Sequence, residues 1–413
     1  MMKRLKVLVS AFACNPYGVS ESIVGWSVVS QIARYNDVWV ITRSINKKDI
    51  EDALAKQDMP GTHFVYFDIP PFVNSLGRFL LVYYFNYLLW QVGVYFIARH
   101  LHRRIQFDVT HQLTFAIGFI PGFLYLLPTP FIWGPINTGV SFPFSFMRYF
   151  SLRGNIEELL RRICQSSMRY NIFALGALKR AKAVLAFTDN KGYFSGKSHA
   201  SKISPFPNGL SAQELKKLAS VPFSNGNPFI VLSIVRLYYW KGVYFGICAF
   251  ARLLKDYPDS EYWIMGDGKE KSKLLALADS LGVSEKVRFL GHISGEEKYS
   301  MLSRCDVFML PSLREGLSIA CLEAMASAKP VICLDIGGSS YLVDGKSGIK
   351  CRVDNPDQVI DDLAKGLSLL CREVSLRKLM GGSARARVNA FFNWDASGNF
   401  LNNIYQKATG QVI

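Results

Sequence analysis

The feature that most restricts how this chain can fold is a repeated alternation. Short, nearly continuous apolar runs recur along it, each followed by a longer stretch of helical period. In the first half, strands are predicted at Lys6–Phe12, Val38–Thr42, His63–Ile69, Phe107–His111, Phe131–Gly134 and Ala183–Thr188. In the second half they are predicted at Phe229–Ile234, Glu261–Met265, Val287–Gly291, Val307–Pro311, Val331–Asp335 and Gly348–Cys351. Strands apolar on both faces belong to parallel sheets covered by helices on each side. One long helical pattern, Ile156 to Lys182, carries basic residues on its polar face. The turn-rich stretch "ASVPFSNGN", Ala219–Asn227, predicts a linker. A chain of 413 residues is too long for one ordinary core. The expectation is an α/β protein of two Rossmann-like domains facing across a cleft, with domains at 1–218 and 219–390.

Charge narrows the partners. The formal net charge of +16 is spread along the chain and favours anionic ligands or an acidic membrane surface. Nucleic acid is not expected, because no RNP-like, zinc-finger or recognition-helix pattern is present. Eight cysteines lie scattered without CxxC spacing and read as core residues in a reducing compartment. No Asp-x-Asp occurs, so no metal site is expected.

Two segments imitate targeting signals. "MMKRLKVLVSAFAC" is interrupted by Lys6 and fits a first strand better than a secretion signal. Phe79–Ala98 is uncharged and about as long as a membrane span. Strand-like "HFVYFDI" and "FDVTHQL" flank it, and a single crossing would place them on opposite sides of the bilayer. A second uncharged stretch, Thr114–Phe146, is broken by Pro121, Pro128 and Pro130. Buried helices with an aromatic face touching the membrane are expected, rather than spans.

The densest chemistry lies in "REGLSIACLEAMASAKPVICLDIGG", Arg314–Gly338. Ser318 is a good helix N-cap, which leaves Glu315 in the loop after a strand and Glu323 inside the helix. Eight residues at about 100° each bring the two acids towards one side. The N–H groups of Gly316, Leu317 and Ser318 suit a diphosphate at the helix start. One acid can then take sugar hydroxyls and the other a ribose diol. In "IVRLYYWKG", Arg236 and Lys241 follow a strand and can neutralise a diphosphate without a metal. "FDVTHQL" places His111 at a strand terminus. "ACNPYGVSESIVGW" places Gly18 in a loop leading to a helix. "MGDGKE" and "FLGHISGEE", with Gly266, His292 and Ile293, are further strand-to-helix loops able to hold a nucleotide.

The chain resembles the GT-B-fold retaining glycosyltransferases of family 4. "EGLSIACLEAMA" is similar to that family's E-x7-E signature, "VRLYYWKG" to G-R-L-x3-K-G, "MGDG" to its G-x-G loop, "FLGHIS" to its base-binding loop and "FPNG" to its P-N-G turn. "SESIVGW", "FDVTHQL" and "WGPINTG" look like S-E-x2-V-G-W, D-V-x-H and W-G-P-x-G-G. The ending "FFNWDASGNFLNNIY" resembles a C-terminal helix that crosses back to the first domain, here 391–413.

The resemblance implies roles. Glu315 and His111 would contact the donor sugar, Glu323 the ribose, and Arg236 and Lys241 the diphosphate of a UDP- or GDP-linked sugar. The Gly18 loop would close over phosphate or acceptor. No cofactor or metal is implied. Val19, Val235, Asn137-Thr138 and Tyr341 depart from the family pattern. The implied activity is metal-independent retaining transfer to a saccharide or lipid-linked acceptor, in bacterial surface polysaccharide assembly, from the cytoplasmic side of an anionic membrane. Two readings stay open beside it: a nucleotide-sugar 2-epimerase, and a non-catalytic nucleotide-sugar-binding protein at the membrane. A dinucleotide oxidoreductase would want G-x-G-x-x-G after the first strand, which "ACNPYG" does not supply.

Overall fold

The computed structural model describes residues 4–18, 21–69, 80–116, 118, 120–137, 139–167, 170–187, 201–224, 226–293 and 295–411, with backbone alone at 80–84. Val19 and Thr138 lie outside the described residues. The chain forms two compact units: 1–139 with 163–208 and 394–413, and 140–162 with 209–393.

The first unit is built on a seven-stranded sheet of β1 (Lys6–Ala11), β2 (Asp37–Thr42), β3 (Thr62–Tyr66), β4 (Val109–Thr114), β5 (Phe131–Ile136), β6 (Ala181–Ala186) and β7 (Ile203–Pro205). Its order is β3-β2-β1-β4-β5-β6-β7. Every pairing is parallel. Alternate residues of β1 feed different cores: Val7 and Val9 join helices Glu21–Ala33 and Trp394–Ala408, whereas Leu8 joins helix Leu80–Ile105 through Trp90 and Val94. That period of two is what a sheet covered on both faces requires.

The second unit repeats the plan with β8 (Ile230–Ile234), β9 (Glu261–Met265), β10 (Val287–Gly291), β11 (Val307–Leu310), β12 (Val331–Leu334) and β13 (Gly348–Cys351), in the order β10-β9-β8-β11-β12-β13. All four residues of both β11 and β12 are buried. In each sheet the order reverses beside the first strand, between β1 and β4 and between β8 and β11. Open α/β sheets bind ligands at the carboxyl ends of strands at such a switch point.

Several features differ from the sequence expectation, though the last helix returns to the first unit as expected. The units divide between Asn208 and Gly209, not at 219. Helix Ala212–Ala219 belongs to the second unit because its Leu218 is buried in that core and a complete Ser211/Glu214 capping box fixes its start. Residues 140–162 also belong to the second unit, where Phe142, Phe146 and Phe150 enter its core. The pattern expected as one helix from 156 to 182 is two, Leu152–Ser167 and Ile172–Arg180. Asn171 starts the second by accepting from the N–H groups of Phe173 and Ala174. The last helix is Trp394–Ala408, within the first unit; it buries Leu401 and Tyr405 there.

The apolar stretch 79–98 falls mostly in helix Leu80–Ile105, where Tyr87, Trp90, Val94 and Ala98 are buried in the sheet-side core. Among the described residues no helix is long and apolar enough to cross a membrane.

Candidate active site

The second sheet's switch point gathers the chemistry. After β8 the chain runs through Arg236 and a short 3-10 turn, Tyr239–Lys241, before helix Val243–Leu253. Gly242, at φ +65°, makes that turn possible, and a Cβ there would lie 1.9 Å from the Pro311 carbonyl oxygen. The loop after β8 is thereby pressed onto the loop after β11, and the Leu313 N–H donates to the Trp240 carbonyl at 2.9 Å. This contact carries Lys241 to Glu315. Their Nζ and Oε2 atoms are 2.5 Å apart, and both side chains are largely buried.

The Glu315 loop is held from a second side. The Gly338 N–H donates to the Glu315 carbonyl at 3.0 Å, and a Cβ on Gly338 would lie 1.5 Å from the Gly316 carbonyl oxygen. Only glycine fits so close to another backbone. Ser318 caps helix Ile319–Ala326 as expected, accepting from the Cys321 N–H at 3.3 Å. The helix therefore opens beside the Gly316–Leu317 segment.

Glu323 is buried one turn further along and is not an exposed helix acid. Its Oε1 lies 2.5 Å from Lys298 Nζ, on helix Gly295–Arg304. Burial pushes the Glu323 carboxyl up from its ordinary range, and Lys298 pulls it back down. Lys298 has no sequence signal, because its partner is distant in the chain. A second acid–lysine pair thus stands on the helix that follows the Glu315 loop.

Of the remaining expected residues, Arg236, Gly266, His292 and Ile293 occupy loops of the same unit. Arg236 is exposed, its guanidinium 5.5 Å from the Tyr238 ring centre. Gly266, at φ +128°, begins the loop after β9, and a Cβ there would lie 1.9 Å from the Val235 carbonyl oxygen. His292 is exposed and Ile293 half-buried in the loop after β10. Gly18 lies in the first unit after β1, 2.7 Å by its ideal Cβ from the Ser22 Cβ.

His111 requires a correction. It sits inside β4, paired in register with Val9, and is fully buried. Its Nε2 is 2.6 Å from the Gly134 carbonyl oxygen and its Nδ1 is 2.6 Å from the Tyr405 hydroxyl. A carbonyl only accepts, so Nε2 carries the proton and Nδ1 accepts from Tyr405. Desolvation lowers the His111 pKa to about 4, in keeping with a neutral ring. With both nitrogens engaged, His111 ties β4 to the last helix and offers nothing to a sugar.

A buried ion cluster backs the site and was not foreseen. Glu158, on helix Leu152–Ser167, is fully buried and accepts from Arg161, from Arg162 at 3.0 Å and from Arg314 at 3.2 Å. Arg314 also lies 4.5 Å over the Trp240 ring. The residue before Glu315 thus packs on the residue before Lys241.

Two parallel Rossmann-like sheets with a last helix in the first unit define a GT-B fold. Its likeness to solved structures spans the whole chain: the sucrose-phosphate synthase of Thermosynechococcus elongatus (TM-score 0.66, 17% identity, 99% of this chain and 100% of that one) and the Anabaena protein HepE in complex with UDP and glucose (TM-score 0.60, 18% identity, 98% and 100%). At such identity these likenesses speak to the fold alone. Residues 216–386 match the family described as glycosyl transferases group 1. A relative from Corynebacterium glutamicum, the GDP-mannose-dependent monoacylated alpha-(1-6)-phosphatidylinositol monomannoside mannosyltransferase, is 32% identical over 45% of this chain and 48% of its own length. The chain spans about half the length of the curated relatives it matches.

Proposed function

We propose that this chain is a retaining, metal-independent glycosyltransferase of family 4. It moves a sugar from a UDP- or GDP-linked donor to a hydroxyl of a saccharide or lipid-linked acceptor, in bacterial surface polysaccharide synthesis such as that of lipopolysaccharide. It works on the cytoplasmic side of an anionic membrane, as a peripheral protein. The observation that carries the reading is the Lys241–Glu315 pair at the second switch point, beside a capped helix start.

A donor in this site would set its diphosphate against Lys241, Arg236 and the N–H groups of Gly316, Leu317 and Ser318. Lys241 would then exchange part of its contact with Glu315 for phosphate, freeing the carboxylate for sugar hydroxyls. Glu323 and Lys298 take the ribose end, and the Gly266 and His292–Ile293 loops flank the base. The anomeric carbon–oxygen bond breaks as these donors stabilise the departing diphosphate. The acceptor oxygen bonds the same carbon from the same face, and its proton passes to a phosphate oxygen of the leaving group. The Gly18 loop serves the acceptor side. Support comes from the GDP-mannose dependence that the name of the C. glutamicum relative carries.

The test is a screen of UDP-, GDP- and ADP-sugars for slow hydrolysis and for thermal stabilisation. Turnover of one donor class is expected. Stabilisation without any turnover would favour the non-catalytic binding reading, and neither response would overturn the proposal.

A further inference from the structure

Helix Leu152–Ser167 is inverted relative to a helix on a water-exposed surface. At 100° per residue, Leu152, Ile156, Leu159, Leu160 and Ile163 fall within one arc of about 100°. They are 79%, 52%, 49%, 57% and 57% exposed. The opposite arc holds Gly154, Glu158 and Arg161, and it is this polar side that packs against protein: Gly154 and Glu158 are buried and Arg161 is largely so. A helix lying on a soluble core does the reverse. The polar face is held inside by the Glu158 cluster, so the apolar stripe is not a displaced core face.

We propose that this stripe is the element by which the protein lies on an anionic lipid surface. Charge selects the occupant. Both acids of the helix are neutralised, Glu157 by Arg153 at 3.0 Å and Glu158 by three arginines. Arg148 and Arg153 are also exposed near the stripe, in surface ion pairs with Asp357 and Glu157 that solvent screens and that headgroup phosphates can replace. In the first unit, taken by itself, helix Ile172–Arg180 has a surface of the same kind: it exposes Ile172, Phe173 and Leu175 and ends on exposed Lys179 and Arg180. An apolar stripe bordered by cations, on a chain of net charge +16, fits the boundary between acyl chains and anionic headgroups. The inference rests on the membrane-adjacent reading above and assigns it to an element other than the 79–98 and 114–146 stretches.

The experiment uses the full chain and its Leu152→Ser/Ile156→Ser double variant with phosphatidylcholine vesicles, with and without phosphatidylglycerol. The wild type is expected to sediment with the anionic vesicles at low salt, and the double variant to partition about tenfold more weakly. Both positions are exposed, so the thermal midpoint should not move. A Leu159→Trp variant supplies a second readout, its emission shifting to the blue on adding anionic vesicles. Equal partitioning of wild type and double variant, or no shift at Trp, would overturn the proposal. So would wild-type self-association that the double variant abolishes, which would assign the stripe to a second copy of the chain. Donor hydrolysis measured on the same preparations keeps the two readings apart. Its loss with lipid binding intact counts against the transferase alone, and lipid failure with hydrolysis intact counts against the docking helix alone.

Discussion

The buried carboxylate of Glu158 accepts from Arg314, 3.2 Å away, and Arg314 is the residue directly before Glu315. An acid from the first half of the sequence therefore fixes the backbone that presents Glu315, the acid proposed to face the sugar. Glu158→Gln should strand three arginines around a neutral amide and cost about 3 kcal/mol of stability, as for other broken buried pairs. It should also lower donor turnover more than nucleotide affinity, because the diphosphate contacts stay in place. Denaturant unfolding together with separate kcat and KM values checks both halves.

Lys241→Ala should remove a charge that acts on the leaving diphosphate. A loss of roughly 10²–10³ in kcat is expected, as for a preorganised donor. Turnover of the wild type should persist in EDTA. Wild-type rates in the variant, or abolition by the chelator, would sink the leaving-group assignment.

Glu315 and Glu323 should separate cleanly. Glu315→Gln is expected to abolish transfer while UDP or GDP still binds. Glu323→Gln and Lys298→Ala should both weaken the nucleotide itself, and the double variant should be little worse than either single one, since each removes half of one pair. Calorimetric titration of the free nucleotides decides this. Nucleotide loss confined to the Glu315 variant would reverse the roles.

His111 gives the fold a pH dependence. Its folded pKa, about 4, lies below the unfolded value near 6.5, so the neutral ring contributes stability above pH 6.5. That contribution is lost as pH falls through 6.5 towards 4, an order of 3 kcal/mol for a shift of this size. Urea midpoints between pH 7 and pH 4.5 should show a slope that flattens in His111→Gln. Tyr405→Phe should cost about 1 kcal/mol at neutral pH through the lost hydrogen bond.

Gly338→Ala tests the packing behind the Glu315 loop. A methyl group there would meet the Gly316 carbonyl, so the loop must shift. Donor turnover should fall sharply with little change in far-ultraviolet circular dichroism, since the strain is local to two loops.

How much of this was legible in the chain follows from where the information lies. β11 and β12 were readable because strands covered on both faces spell unbroken apolar runs, and the Ser318 cap was readable because capping is local. β4 was misplaced because its buried residues, Val109–Thr114, are mostly polar, so hydropathy ends the strand too early and puts His111 at a terminus. Lys298 was invisible because its meaning depends on a partner 25 positions away. Phe142, Phe146 and Phe150 announce burial, but periodicity does not say in which core. The helix beginning at Leu152 has an ordinary amphipathic pattern; only the fold reveals which side faces out.

The chain passes from one unit to the other at 139/140, 162/163, 208/209 and 393/394. On the ribosome this sets an order of completion. Phe142, Phe146 and Phe150 emerge before the sheet they will pack against exists. Leu401 and Tyr405, which cover the core around Val7 and Val9, emerge only after the second unit. The first unit thus waits with part of one sheet face uncovered, the part that helix Trp394–Ala408 will take beside helix Glu21–Ala33, while the second unit is made, a stage at which partly folded chains are prone to aggregate. A premature stop anywhere beyond 393 would spare the unit just translated and leave incomplete the one encoded at the start.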